Sequence, residues 1–140
     1  MTAPNTNPIF TLTPKIGIAT VAAANTESDG TGVLVTLFTA GAQGSRIERI
    51  RYANAQSSAA ASSAMVVRFF VSDTGGINPT LLVEVAVPAA TRTVAVVGAG
   101  NVYTFTNGLS IPSGTIISVI QSVYAGAQDL MHYVAEGGDY

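Results

Sequence analysis

The chain contains few side chains that could carry out acid–base or nucleophilic chemistry. It has one histidine, no cysteine and eight carboxylates, which are scattered along the sequence. His132 lies on the same predicted strand face as Leu130 and Val134, so we expect a partly buried sheet residue rather than a general base. The serines lie in Ser-Ala loops and turns, and none occurs in the Gly-x-Ser-x-Gly pattern of a nucleophile elbow. We therefore predict that the protein is not an enzyme and has no catalytic residues.

Three short segments resemble ligand-binding loops without completing the pattern. Residues 25–30 begin like a calcium-binding loop, but the twelfth position of that loop is Thr36 rather than glutamate. Residues 98–100 follow a predicted strand yet lack the third glycine of a dinucleotide-binding loop. Residues 41–45 lack the lysine of a phosphate-binding loop. We expect turns or strand ends in these places, with no metal and no cofactor.

Arginine supplies most of the positive charge and forms one short cluster. Four of the six positive charges are those of Arg46, Arg49, Arg51 and Arg68. Arg49 and Arg51 share one face of a predicted strand, and the alternation places Glu48 on the opposite face. Such a pair can form a face in contact with water, or a contact strip for an acidic partner, because arginine is enriched in protein interfaces. Arg49 and Arg51 are therefore candidate contact residues.

The chain is unusually poor in charge. Only 10% of its residues are charged, whereas a typical soluble domain has about 25%. A net charge of −2 provides no basic surface for nucleic acid or for an anionic membrane. Residues 93–128 contain no charged side chain, but glycine, asparagine and proline divide them into pieces well short of the ~20 residues of a membrane-spanning helix. Residues 1–9 lack the basic and apolar regions of a signal peptide. We expect no nucleic-acid partner and no membrane partner.

Apolar residues alternate with period two between turn signals, which predicts an all-β fold. In residues 65–71 one face carries Met65, Val67, Phe69 and Val71. The other carries Val66, Arg68 and Phe70, so we expect both faces of this strand to be partly covered. In residues 81–87 the alternation places Leu81 inward and Leu82 outward. Residues 56–64 are rich in serine and alanine, and we expect a loop there rather than a helix. The predicted strands are residues 16–22, 33–38, 46–53, 65–71, 81–87, 93–97, 102–106, 116–124 and 130–135, with turns at 28–30, 41–44, 73–76, 107–108 and 112–114.

Short strands at this spacing favour an antiparallel two-sheet sandwich over a parallel α/β fold, because no helix of ~12 residues is credible. Cysteine and tryptophan are absent and the strand count is near eight. We therefore predict a jelly-roll-like sandwich rather than an immunoglobulin-like one.

The first fifteen residues differ from the rest. Three prolines keep this segment extended, and three large apolar residues would be costly to leave in water. The segment is either a disordered tail that joins the fold near Lys15 or an extended arm that docks on a neighbour. We divide the chain into an arm, residues 1–15, and a single β-sandwich domain, residues 16–140. The candidate contact residues of the arm are Pro4, Pro8, Ile9, Phe10, Leu12 and Pro14.

Several segments together resemble a known family. They are residues 10–17 (FTLTPKIG), 68–73 (RFFVSD), 82–89 (LVEVAVPA), 109–114 (LSIPSG) and 135–140 (AEGGDY). This ordered set is similar to small structural proteins of tailed bacteriophages that are encoded near the major capsid protein. Such proteins often act as capsid decoration, or cement, proteins, and several are β-sandwiches or jelly rolls that assemble as trimers.

The resemblance implies a virion protein on the capsid surface, made in the host bacterial cytoplasm. It would stabilise the shell by bridging major capsid protein subunits and would form a homotrimer. The low charge fits this role, because burying an unpaired charge costs several kcal/mol whereas burying Ala, Ser, Thr or Val costs little. One alternative is a phage tail or head-fibre module that binds host glycans by stacking on tyrosines. Another is a jelly-roll metalloenzyme, which would need two or three histidine ligands where this chain has one.

Overall fold

Eight β-strands and one short 3-10 helix make up the regular structure of the described residues, which in this computed structural model are 13–56, 60–93 and 95–140. No helix in that part of the chain is long and apolar enough to cross a membrane. The elements are β1 (Thr13–Val21), β2 (Val35–Thr39), β3 (Ser45–Asn54), β4 (Met65–Asp73), β5 (Ile77–Val87), β6 (Gly100–Ile111), β7 (Ile116–Gln121), the 3-10 helix (Ala127–Asp129) and β8 (Met131–Asp139).

The strands form two four-stranded antiparallel sheets, in the orders β1-β8-β3-β6 and β2-β7-β4-β5. Successive strands pass between the two sheets except at the β4–β5 hairpin. This is the strand order of an eight-stranded jelly roll. The predicted all-β, antiparallel, jelly-roll-like sandwich is therefore confirmed.

The core lies between the two sheets and consists of the inward residues of each. Ile47 and Ile50 of β3 face Val67 and Phe69 of β4, and all four side chains are fully buried. Tyr133 of β8 meets Phe69 edge-on, with ring centroids 6.0 Å apart. Alternation in the sequence follows from this arrangement, because each strand turns every second side chain to the core.

The loop between β1 and β2 covers the outer face of the second sheet. The backbone amide of Asn25 donates to the carbonyl of Gln121 at 2.9 Å, and Arg68 of β4 donates to the carbonyl of Thr26. Phe70 and Ile120, which lie on that outer face, are fully buried. The prediction that both faces of the β4 segment are covered is therefore confirmed.

Bulges in three strands overturn details of the predicted alternation. Glu48 is an extra residue of β3, because Ile47 pairs with Gly137 of β8 while Arg49 pairs with Glu136. In β6, residues 105–108 lie between the partners of Arg49 and Ile47. The predicted turn at residues 107–108 is therefore wrong, and these residues form part of the bulge with positive φ angles of 62° and 73°.

The third bulge reverses two side chains of β5. Phe70 pairs with Leu81 and Phe69 with Val83, so Leu82 has no direct partner in β4. Leu82 packs against the core, whereas Leu81 is 39% exposed. The predicted orientations of these two leucines are wrong, because a bulge shifts the alternation by one residue.

The described residues of the predicted strand 93–97, which are 93 and 95–97, are not in a strand. Thr93 and Val96 exchange backbone hydrogen bonds of 2.9 and 3.3 Å, which closes a turn. The described part of 56–64 is a loop, as predicted, and the remaining turn signals at 28–30, 41–44, 73–76 and 112–114 all lie at bends or turns.

The first strand begins at Thr13, three residues before the predicted start of the domain. Pro14 is consequently an exposed strand residue opposite Gly138 of β8. The other predicted arm contacts lie outside the described residues. They are Pro4, Pro8, Ile9, Phe10 and Leu12.

Candidate protein-interaction site

The outer face of the first sheet presents two rows of side chains that cross all four strands. We call these eight residues the two-row surface. In the order β1, β8, β3 and β6, the first row is Ile16, Glu136, Arg49 and Thr104, and the second is Ile18, Val134, Arg51 and Val102.

The charges at the centre of the two-row surface are paired with each other. The Glu136 carboxylate accepts a hydrogen bond from Arg49 Nε and another, at 2.7 Å, from Arg51 Nε. The hydrogen bond from Arg49, with that from Arg51 and both positive charges, holds the pKa of Glu136 below its ordinary value despite partial desolvation. The prediction that Arg49 and Arg51 share a face is confirmed. Neither arginine carries an isolated charge.

The alternation predicts Glu48 on the face opposite the two arginines, but it lies on the same face as they do. It is exposed on the outer side of the sheet, where its carboxylate forms an ion pair with Arg46 Nε at 2.6 Å. The bulge at Glu48 causes this, because it turns two consecutive side chains to the same side.

Exposed aliphatic side chains flank the paired charges. Ile16 and Ile18 of β1 are 62% and 65% exposed, and Val102 of β6 is 40% exposed. Isolated exposed aliphatic residues are common on proteins, but here they are aligned by register on one sheet face. A surface with apolar margins and internally paired charges is suited to contact with another protein.

A polar cluster fixes the end of β1 at which the arm joins the sheet. Lys15 Nζ lies 3.2 Å from Asp139 Oδ2 and donates to the Thr39 carbonyl at 2.6 Å. Ser45 Oγ donates to the other Asp139 oxygen and accepts from the Gly41 amide. Burial raises the pKa of Asp139, but hydrogen bonds from Ser45 and Lys15 and the lysine charge outweigh it, so the pKa is lowered. The cluster joins β1, β3 and β8.

A second polar cluster lies at the other end of the sandwich, and the sequence analysis missed it. The fully buried Asp129 carboxylate accepts from the backbone amides of Ser63 and Ala125, both at 2.7 Å, and from Ser63 Oγ. Burial raises the pKa of Asp129, but these hydrogen bonds together hold it below its ordinary value. Gln121 donates to the Asp129 carbonyl and accepts from the Tyr133 hydroxyl at 3.3 Å. Asp129 thus joins two loops and has a structural role.

The described residues contain no arrangement that resembles a metal site. No group of three or more histidine or carboxylate side chains lies within reach of one ion in those ranges. His132 is exposed, on the outer face of the first sheet, rather than partly buried as predicted. It lies between Thr20 and Ala53 in the row next to the two-row surface.

The tyrosines do not form an exposed aromatic platform. Tyr52 and Tyr133 are buried, and Tyr103, Tyr124 and Tyr140 are half-buried. Tyr140 is further held by a 2.8 Å hydrogen bond between its hydroxyl and Ser110 Oγ. A glycan that stacks on a fully exposed tyrosine would find no such residue here.

Comparison with known proteins does not identify this chain. No protein-family model and no curated protein matches the chain. A solved structure described as "Structure of infectious bursal disease virus Gt strain" matches with 22% sequence identity and a TM-score of 0.31, covering 98% of this chain and 35% of that one. This chain therefore spans about a third of the length of the chain it matches. A likeness at this level assigns no function, so the functional argument rests on the residues themselves.

Proposed function

We propose that this chain is a structural protein of a tailed-phage virion. In this role it decorates the capsid as a homotrimer and stabilises the shell by bridging neighbouring major capsid protein subunits. The resemblance of five sequence segments to phage decoration proteins supports the family, and the jelly roll is a fold that such proteins use. The two-row surface is the single structural observation that carries the proposal.

The two-row surface suits a capsid contact because it can be buried at little electrostatic cost. Arg49 and Arg51 already share the Glu136 carboxylate, so covering them leaves no charge without a partner. The apolar gain comes from Ile16 and Ile18, each of which contributes about 1–2 kcal/mol if its exposed area is covered. Many weak copies of this contact on one shell produce a large total stabilisation.

Stabilisation follows from binding to the assembled shell alone. A ligand that binds subunits only when they are adjacent shifts the equilibrium toward the assembled state by mass action. Packaged DNA pushes subunits apart, and a clamp across their junction raises the free energy of separating them. The arm contributes to this clamp in our proposal, since it joins β1 in the same strand as Ile16 and Ile18.

The proposal is tested by binding to capsids that lack the protein. Purified protein is mixed with shells of the major capsid protein of the same virus, and occupancy is measured by sedimentation. The double variant I16K/I18K should bind at least tenfold more weakly, since it would bury two unpaired ammonium groups. V33K is the matched control, because Val33 is 80% exposed in the β1–β2 loop, away from this sheet face. If both variants bound capsids equally well, the two-row surface would not be part of the capsid contact.

Three further experiments test the proposal and its alternatives. Electron cryomicroscopy of the virion should show the protein distributed over the icosahedral shell, and density confined to the tail would contradict the proposal. A chain without residues 2–12, which keeps β1 intact, should lose capsid binding if the arm is part of the clamp. Micromolar binding on a glycan array would favour the host-recognition alternative instead.

A further inference from the structure

The two lateral sides of the sandwich differ. On one side β1 lies against β2, so closely that a Cβ added to Gly17 would overlap the Leu37 carbonyl oxygen. Lys15 also crosses this side to the Thr39 carbonyl and lies 5.1 Å from the centre of the Phe38 ring. The other side is bounded by β5 and β6, which are the end strands of their sheets. One side is closed by side-chain and backbone contacts, and the other is open.

Apolar side chains of the core reach the surface along the open side. Five of them pack against the buried core and yet are only partly buried. Phe105 additionally meets Tyr103 edge-on, with ring centroids 5.1 Å apart. We call these five residues, with the free edges of the two strands, the open seam. They are Leu82, Val83 and Val85 of β5, and Phe105 and Leu109 of β6.

The open seam lacks the charges that usually protect an exposed strand edge. β6, with 12 residues, contains no charged side chain, and β5, with 11, contains only Glu84. Glu84 forms an ion pair with Arg68 at 2.6 Å and so carries no isolated charge. Long edge strands normally carry lysines or other devices that prevent pairing with a further strand. The devices present are Pro79 and the bulge at Leu82 in β5, and the bulge at residues 105–108 in β6. They leave residues 83–87 of β5 and 100–104 of β6 as regular, unprotected edges.

The backbone of β6 is oriented for a further partner. The Val102 amide donates to Asn101 Oδ1 at 2.8 Å rather than to the ladder with β3. This amide therefore points away from β3, and the period of two places the Thr104 amide on the same side. An added strand would meet these groups directly.

We propose that copies of this chain associate through the open seam, with β6 of one copy antiparallel to β5 of the next. β5 begins at the end of the sandwich where β7 begins, since Ile77 pairs with Asp73 and Ser72 with Ile116. β6 finishes at that same end, one turn before β7. The two strands thus run in opposite directions. Rotation about an axis parallel to the strands brings β6 of each copy antiparallel to β5 of its neighbour, which is the pairing mode of both sheets.

The area of the seam is sufficient for a specific interface. Strands of this length extend about 40 Å, and two sheets about 10 Å apart with their edge side chains give a strip about 15 Å wide. Each copy therefore contributes roughly 600 Å², and two facing seams bury about 1,200 Å², the lower limit of stable specific interfaces. An uncharged strip complements another copy of itself, whereas a charged partner would find no opposite charge there.

The test is the oligomeric state of the purified full chain, measured by sedimentation velocity from 1 to 100 µM. We expect an oligomer for the wild type, and V85K should raise its dissociation constant at least ~100-fold, because the ammonium would be buried without a partner. Val85 pairs with the buried Val67 at the open edge, and the lysine stem can lie along the apolar surface of the monomer. V33K, with an exposed lysine in the β1–β2 loop, should leave the oligomer unchanged.

A second variant keeps the test decisive if V85K does not fold. T104P removes an outward amide donor from an edge strand, where proline is tolerated, and should also raise the dissociation constant. A wild-type chain that is monomeric at 100 µM would overturn the proposal, as would V85K and T104P oligomers as stable as that of V33K. If removal of residues 2–12 abolished association, the arm and not pairing between two open seams would hold the copies together. That result would also overturn the proposal. A monomeric wild type would also contradict the homotrimer of the proposed function, whereas capsid binding is measured separately, so failure of the open seam and failure of capsid decoration can be distinguished.

Discussion

Replacement of Asp129 should destabilise the protein more than any exposed carboxylate does. Asp129→Ala removes the acceptor for the Ser63 and Ala125 amides, which lie 2.7 Å from the carboxylate in a fully buried position. Each buried amide left without a partner costs about 1–3 kcal/mol. We therefore expect the free energy of unfolding to fall by about 2–5 kcal/mol. Asp129→Asn keeps one acceptor oxygen but places its side-chain NH2 group toward a backbone donor. We therefore expect a smaller decrease in the free energy of unfolding than for Asp129→Ala.

Urea unfolding at pH 7, followed by far-ultraviolet circular dichroism, measures this difference. Glu27→Ala is the matched control, because Glu27 is exposed in the β1–β2 loop. A surface substitution of this kind should change stability by less than about 0.5 kcal/mol. A midpoint for Asp129→Ala equal to that of the control, with the same slope, would refute the reasoning.

Acid provides an independent measure of the same cluster. The pKa of Asp129 in the folded protein lies below its ordinary value of 3.8, so near that pH the unfolded chain binds more protons than the folded one. This contribution to stability is fully present above about pH 5 and is lost as the pH falls through the folded pKa. Asp129→Asn has no such group, and its stability should fall less between pH 5 and pH 2. An unchanged acid dependence would contradict the assigned role of the carboxylate.

Three further outcomes follow from the geometry. Gly17→Ala should lower the free energy of unfolding by about 2–3 kcal/mol, because its Cβ would overlap the Leu37 carbonyl oxygen. Gly75→Ala should lower it by about 1 kcal/mol through its positive φ, since its Cβ would meet no described atom within 4 Å. A lower melting temperature for Gly75→Ala than for Gly17→Ala would contradict this. Burial raises the pKa of Tyr133 and so does the neighbouring Tyr52, whose own pKa burial also raises. Absorbance titration should therefore show late tyrosine ionisation, and Tyr133→Phe should remove its last step. Lys15→Met should raise the pKa of Asp139 toward its ordinary value, because the lysine charge and hydrogen bond are lost. NMR titration of the Asp139 carboxyl carbon measures this pKa, and an unchanged pKa would exclude the pairing of Lys15 with Asp139.

The strands of the core were predictable because burial imposes a simple pattern. β4 and β7 have no internal bulge against each other, and their alternation places Val67, Phe69 and Val119 correctly on the inner face. Bulges break this pattern without a compositional signal. The extra residues Glu48 and Leu82 differ in no way from ordinary strand residues, so the sequence alone could not show where the alternation shifts.

Turn signals were ambiguous for a related reason. Asn107 and Gly108 favour positive φ, which a tight turn and a bulge both require. The apolar composition of residues 93–97 indicated a strand, yet the backbone there closes on itself at Thr93 and Val96. Local composition can indicate an unusual backbone conformation, but it does not show whether the segment closes a turn or pairs with another strand.

Only part of the candidate site could be predicted from the sequence. The two-residue spacing of Arg49 and Arg51 placed them on one face, but their partner Glu136 lies 85 residues beyond Arg51 and nothing local connects them. Asp129 carried one signal, since it is the first charge after the uncharged residues 93–128 and precedes two apolar residues. A lone carboxylate in such a setting needs buried donors, and a loop rich in serine could have been considered as their source.

The position of β8 has a consequence for the making of the protein. This last strand lies between β1 and β3, and the contact of Lys15 with Asp139 joins residues 124 positions apart. β3 and β6 can pair before β8 is synthesised, but β1 cannot join the first sheet until then. Such long-range topology is associated with slow folding, during which two strand edges stay open to aggregation. Premature termination before β8 would thus separate β1 from the β3–β6 pair and divide the first sheet.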